Sequence, residues 1–154
     1  MLKKHYIILI MKTNYNPIIV EQHFNQNMVT VWNAITQLNQ MKQWFFDNIP
    51  SFKAEVGFET QFNVQAPSRD FLHQWKIIEV IPFKKIVYNW KFDKILGEGT
   101  VTFELFEENH QTKLILTNEG LENFPQEYPE FTRESCIGGW NYFINQRLKE
   151  YLNN

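Results

Sequence analysis

The sequence has 154 residues, 44% hydrophobic and 16% aromatic, with 5 Trp, 6 Tyr and 14 Phe against only 6 Gly and 6 Pro. One domain of that length can bury about 68–70% of its unfolded surface, so a core forms without disulfides or metal; disorder, collagen-like repeats and a stapled miniature scaffold are excluded. With 15 Lys+Arg against 17 Asp+Glu the net charge is −2, which lacks the basic excess that a phosphate backbone attracts and argues against nucleic acid as a partner.

Met1-Leu2-Lys3-Lys4-His5 followed by the apolar run Tyr6 to Met11 imitates a signal peptide. The run is six residues long before Lys12 interrupts it, and Thr13-Asn14-Tyr15-Asn16 offers no small-residue cleavage site. Residues 1–16 are therefore expected to be an N-terminal extension, with 1–10 outside the functional domain and Met11-Lys12-Thr13 resembling a second start. The domain is expected over 17–152. No apolar stretch of about 20 residues spans a membrane. The lone Cys136 has no partner for an internal disulfide and suits a reducing, cytoplasmic compartment.

Ile18-Ile19-Val20-Glu21-Gln22-His23-Phe24, bounded by Pro17 and Asn25, predicts a first strand. Asn27 is an expected N-cap, after which Val31, Trp32 and Ile35 give a short amphipathic helix; Leu38, Met41, Trp44 and Phe45 repeat the spacing in a second, ending before Pro50. From Ser51 to Glu119 the period becomes two. Segments 52–56, 58–64, 71–81, 84–92, 99–107 and 112–119 predict six further strands, separated by Gly57, by the loop Ala66 to Asp70, by Pro82, by Gly97 and Gly99, and by Glu108 to Gln111. Connections this short imply an antiparallel meander of about seven strands. Val101/Phe103/Leu105, Leu114/Leu116 and Ile86/Tyr88/Trp90/Phe92 form core-facing sets, whereas 75–81 is apolar on both parities and leaves its inward face open. A proline-free segment from about Thr132 to Leu152 predicts a helix of roughly 31 Å, long enough to cross the sheet from edge to edge.

The order strand, two short helices, meander and long C-terminal helix resembles the helix-grip α+β fold of the START/Bet v 1-like superfamily. Val31-Trp32-Asn33-Ala34-Ile35, Met41-Lys42-Gln43-Trp44-Phe45, Ile78 to Trp90, Thr100 to Leu105, Thr112 to Thr117 and Gly138-Gly139-Trp140 look like the patterns of its activator-of-Hsp90-ATPase-like branch. That resemblance implies a cavity between the long helix and the concave face of the sheet. Candidate lining residues are Trp44, Phe62, Trp75, Trp90, Phe103, Cys136, Trp140 and Phe143, each of which is also an ordinary core filler. Gly138 and Gly139 inside a helix each cost roughly 0.8–1 kcal/mol relative to Ala, which calls for either close packing or space kept for a guest.

Chemistry-bearing groups are sparse. His5, His23, His73 and His110 fit no metal-ligand spacing, Gly97-x-Gly99 lacks the third glycine of a dinucleotide site, and no P-loop or G-x-S-x-G occurs. No metal or cofactor is expected. Cys136 reads as a small hydrophobe, although a helix N-terminal half can lower a thiol pKa. His73 and Glu119 read as strand-surface residues; whether either of them, or Arg133, points inward separates a binder from a cyclase-like or hydrolase-like enzyme. The leading expectation is a bacterial-type domain that binds an apolar or aromatic small molecule without chemistry of its own. A chaperone-ATPase-stimulating interaction module, implied by the branch's name, is the alternative.

Overall fold

The computed structural model describes residues 16–153, so the signal-like run and the second start at Met11 lie outside the described residues. Alternation of β-branched and polar residues makes β1 (Ile18–Phe24), with Ile18, Val20 and Phe24 buried. Two short helices follow, α1 (Met28–Thr36) and α2 (Leu38–Trp44). Asn27 caps α1 by accepting a bond from the Thr30 amide at 2.9 Å, which satisfies one of the free N–H groups every helix start exposes. The indole of Trp44 donates to the Ala34 carbonyl at 2.8 Å and locks the two helices together.

The period-two region forms β2 (Glu59–Gln65), β3 (Asp70–Ile81), β4 (Lys85–Phe92), β5 (Gly99–Glu108) and β6 (Gln111–Glu119). They pair antiparallel in the order β1-β6-β5-β4-β3-β2, a meander closed by the first strand. The sheet has six strands rather than about seven. Segment 52–56 joins no ladder: Gly57 turns the chain at a φ of 91°, and the backbone bonds locally from the Glu55 amide to the Lys53 carbonyl. Its apolar alternation serves one side chain, since Phe52 drops into the core and stacks on Tyr88 at 5.8 Å.

The two-sided apolar run of β3 has a simple cause. The β3–β4 register slips between Ile77 and Glu79. Phe71, His73, Trp75 and Ile77 face inward, Ile78 is extruded to solvent, and Val80 resumes the inward parity. One bulged residue thus makes both parities look apolar. Pro82 occupies the second position of the following turn, as a donor-less residue suits, and the Lys84 amide closes it onto the Ile81 carbonyl at 2.9 Å.

The C-terminal helix α3 runs from 133 to 153 in three parts: α-helical Arg133–Trp140, a π-helical stretch Asn141–Leu148, and α-helical Lys149–Asn153. The buried residues are Trp140, Ile144, Leu148 and Leu152, spaced by four. At 3.6 residues per turn a four-residue repeat drifts by about 40° each step. Widening the middle turns opposes that drift and keeps the stripe on the sheet.

Candidate functional site

Phe45 follows α2 as its C-cap and carries its ring into the space between sheet and α3. It stacks on Trp44 at 4.6 Å and on Trp75 at 5.5 Å, and meets Trp90, Phe103, Trp140 and Phe143 at 4.9–6.3 Å. The centre of the grip is therefore filled. Trp44, Phe62, Trp75 and Phe103, four of the residues picked out from sequence, pack in this solid part.

The space left open lies toward one end, under the first two turns of α3, as a cavity of about 240 Å³. Trp90, Cys136, Trp140 and Phe143 line it, and these are the other four sequence candidates. A void persists there because small residues meet from every wall: Ala66 from the β2–β3 loop, Gly99 from β5, and Ser135, Cys136 and Gly139 from α3. Gly138 and Gly139 are not close-packed, since a Cβ on either would meet nothing within 4 Å. Ser135 and Gly139 are both solvent-exposed and one turn apart, so the cavity opens beside them.

Sequence reasoning missed the loop that forms the floor. Leu121, Phe124, Glu130 and Phe131 line the cavity from the segment between β6 and α3, where no periodicity marks an inward face. Gly97 and Gly99 let that loop and the end of β6 approach: a Cβ on Gly97 would sit 2.2 Å from the Asn123 carbonyl oxygen, and one on Gly99 2.6 Å from that of Glu119, the last residue of β6. This close approach explains the Gly97-x-Gly99 pair. Phe71 and Phe92 also line the site, and both were legible, because they share strand parity with Trp75 and Trp90.

His73 departs from the strand-surface expectation and brings a titratable group to the cavity. The strand-surface reading fails, for its side chain is only 8% exposed and it borders the cavity among Phe46, Phe62, Trp90 and Phe92, with ring centroids at 4.8–5.6 Å. Its Nδ1 lies 3.0 Å from the Phe71 carbonyl; an oxygen there demands an N–H, so Nε2 keeps its lone pair. Burial lowers its pKa to about 4, against the smaller opposing pull of that backbone bond. Glu119 is exposed, and Arg133 donates to the Asn16 and Pro17 carbonyls, away from the cavity.

Cys136 is half-buried, and burial pushes its thiol up to about 11. Its Sγ–H donates to the Glu130 carbonyl at 3.5 Å. Burial and this bond favour the protonated thiol. Glu130 accepts from both the amide and the hydroxyl of Ser68, and the hydroxyl bond holds its carboxyl below the usual range; its second oxygen, Oε2, is buried without a partner among the described residues. Trp140 Nε1 donates to Asn118 Oδ1 at 3.2 Å, and Asn118 Nδ2 donates to the Thr100 carbonyl at 3.2 Å.

A broader groove of about 640 Å³ crosses the opposite face of the sheet, between Glu59, Lys76, Lys91 and Glu98. It is the ordinary polar side of a half-buried antiparallel sheet. Among the described residues no three His, Cys, Asp or Glu converge on a metal-sized site, and no helix is long and apolar enough to cross a membrane.

The model of the family described as Activator of Hsp90 ATPase homolog 1-like protein matches residues 27–153. No curated protein sequence matches the chain. Among solved structures it resembles protein CV1439 from Chromobacterium violaceum, at 19% identity and a TM-score of 0.74 over 90% of this chain and 98% of that one. It also resembles DynU16, from the dynemicin biosynthetic locus, at 19% identity and 0.72 over 90% of this chain and 48% of that one. CalU16 from Micromonospora echinospora aligns at 21% identity and 0.65 over 88% and 75%. Identities this low speak for the fold alone.

Proposed function

The chain belongs to the Activator of Hsp90 ATPase homolog 1-like family, and on that premise we propose that it binds a small apolar or aromatic molecule in the cavity beneath the first two turns of α3. One observation carries the reading: eight aromatic side chains, from Phe46 to Phe143, border space that the chain leaves unfilled, although interiors ordinarily close to crystal-like density. An aromatic guest hiding about 200 Å² there would gain roughly 5 kcal/mol from burial, before the cost of association is subtracted. The likeness to DynU16, whose setting is the dynemicin biosynthetic locus, is in keeping with small-molecule binding.

Gly139 provides the test, because its position tolerates a side chain and borders the mouth. Gly139→Ala is expected to raise stability by about 0.5–1 kcal/mol through helix propensity while leaving uptake of naphthalene intact. Gly139→Phe is expected to keep the fold and reduce naphthalene uptake at least about tenfold by occupying the entrance. Calorimetric titration reads both. Equal uptake by wild type and Gly139→Phe would remove the cavity as the site. The family description also supports a chaperone-stimulating module; on the binding reading, adding the protein to Hsp90 leaves its ATPase rate unchanged.

A further inference from the structure

Resting on that binding reading, we infer that the guest is a one- or two-ring aromatic carrying a hydroxyl, whose hydrogen is donated to Nε2 of His73, and that the same site rejects aromatic anions. Donors and acceptors around the cavity are unequally satisfied. Four donors around it are already engaged: Trp140 Nε1 with Asn118, one hydrogen of Asn118 Nδ2 with Thr100, Cys136 Sγ with Glu130, and His73 Nδ1 with Phe71; the indole N–H of Trp90, which also lines the cavity, has no acceptor among the described residues and can donate to the oxygen of a hydroxyl. Two acceptors are left over. The described residues offer no partner to His73 Nε2, and Glu130 Oε2 is buried without one. Ser135, exposed at the mouth, can serve in either role.

Glu130 Oε2 is buried without a donor, and at His73 Nε2 a hydroxyl gains a hydrogen bond that an ether lacks. A carboxylate brings two more acceptors and a negative charge toward Glu130, whose own carboxyl is held in the ionised form by Ser68. The selectivity is therefore attractive for hydroxyls and repulsive for anions. His73 stays neutral near pH 7, which is the state that accepts. Size sets the ring count: a cavity of about 150 Å³ holds benzene, so about 240 Å³ suits a two-ring guest.

The experiment is a calorimetric series on the purified chain with naphthalene, 2-naphthol, 2-methoxynaphthalene and 2-naphthoate, which share a ring system and differ in donor and charge. 2-Naphthol is expected to bind at least about tenfold more tightly than 2-methoxynaphthalene, with 2-naphthoate weakest. In His73→Leu the preference for 2-naphthol over 2-methoxynaphthalene collapses to within about twofold, while naphthalene still binds. Nitrogen NMR of wild type gives an independent reading: the Nε2 resonance of His73 moves on adding 2-naphthol and not on adding 2-methoxynaphthalene, so the result does not depend on how well the variant folds. Equal affinities with an unmoved Nε2 resonance overturn the hydroxyl assignment and leave the binding reading standing. If naphthalene and its three derivatives all fail to bind wild type, both fall together.

Discussion

Phe45→Ala is expected to destabilise the protein by about 3–5 kcal/mol. The ring is 6% exposed and is the common neighbour of α2, the sheet and α3, sandwiched between Trp44 and Trp75 and edge-on to Phe103 and Phe143. Removing it forfeits transfer energy and the geometry-dependent share of several aromatic pairs. The neighbours cannot collapse into the gap, because Trp44 is held by its bond to Ala34 and Trp75 by its strand. Since whole domains are stable by only about 5–15 kcal/mol, a loss of this size shows as a large fall in the denaturation midpoint. Urea unfolding followed by tryptophan fluorescence measures it. A loss below about 1.5 kcal/mol would mean that Phe45 does not tie α2, the sheet and α3 together.

The second large effect is a pH dependence centred on His73. Its folded pKa is about 4 against an ordinary 6.5, so the unfolded chain binds this proton more readily than the folded one. Stability from this group is complete above pH 6.5, declines as pH falls toward 4, and stops changing below that, where the folded state is protonated as well. By pH 5 the loss amounts to about 2 kcal/mol, and across the whole window to about 3 kcal/mol. Carboxylates titrate near the lower end of this range, so the measurement is a difference: the stability of wild type minus that of His73→Leu, followed from pH 7.5 to 4.5 by urea unfolding. The difference should shift against wild type by about 2 kcal/mol at pH 5. Parallel curves for the two proteins would show that the imidazole is not buried in its neutral form.

Both effects arise from residues whose importance differed between sequence and structure. Phe45 was legible as part of the second helix's apolar spacing, but its ring lies past the helix end, where backbone geometry rather than periodicity aims the side chain. His73 shares parity with Phe71 and Trp75, yet a polar residue in a strand defaults to the solvent face until the bulge at Ile78 is known. Four of the eight sequence-selected residues, Trp44, Phe62, Trp75 and Phe103, fill the core, and the other four, Trp90, Cys136, Trp140 and Phe143, border the cavity. Nothing in their local patterns separates the two groups.

Local chemistry alone determined the α+β class, the helix pair after the first strand, the antiparallel meander and the long closing helix. Each follows from short-range periodicity, caps and turn residues, which act within a few positions of the chain. The tertiary structure decided what is long-range: that 52–56 forms no strand, that α3 widens to keep a four-residue stripe on the sheet, and that the 121–131 loop seals one end of the grip. It also decided where the aromatic excess leaves room. A cavity is the difference between the volume enclosed by distant elements and the volume of the side chains that reach it, and no window of sequence contains both quantities.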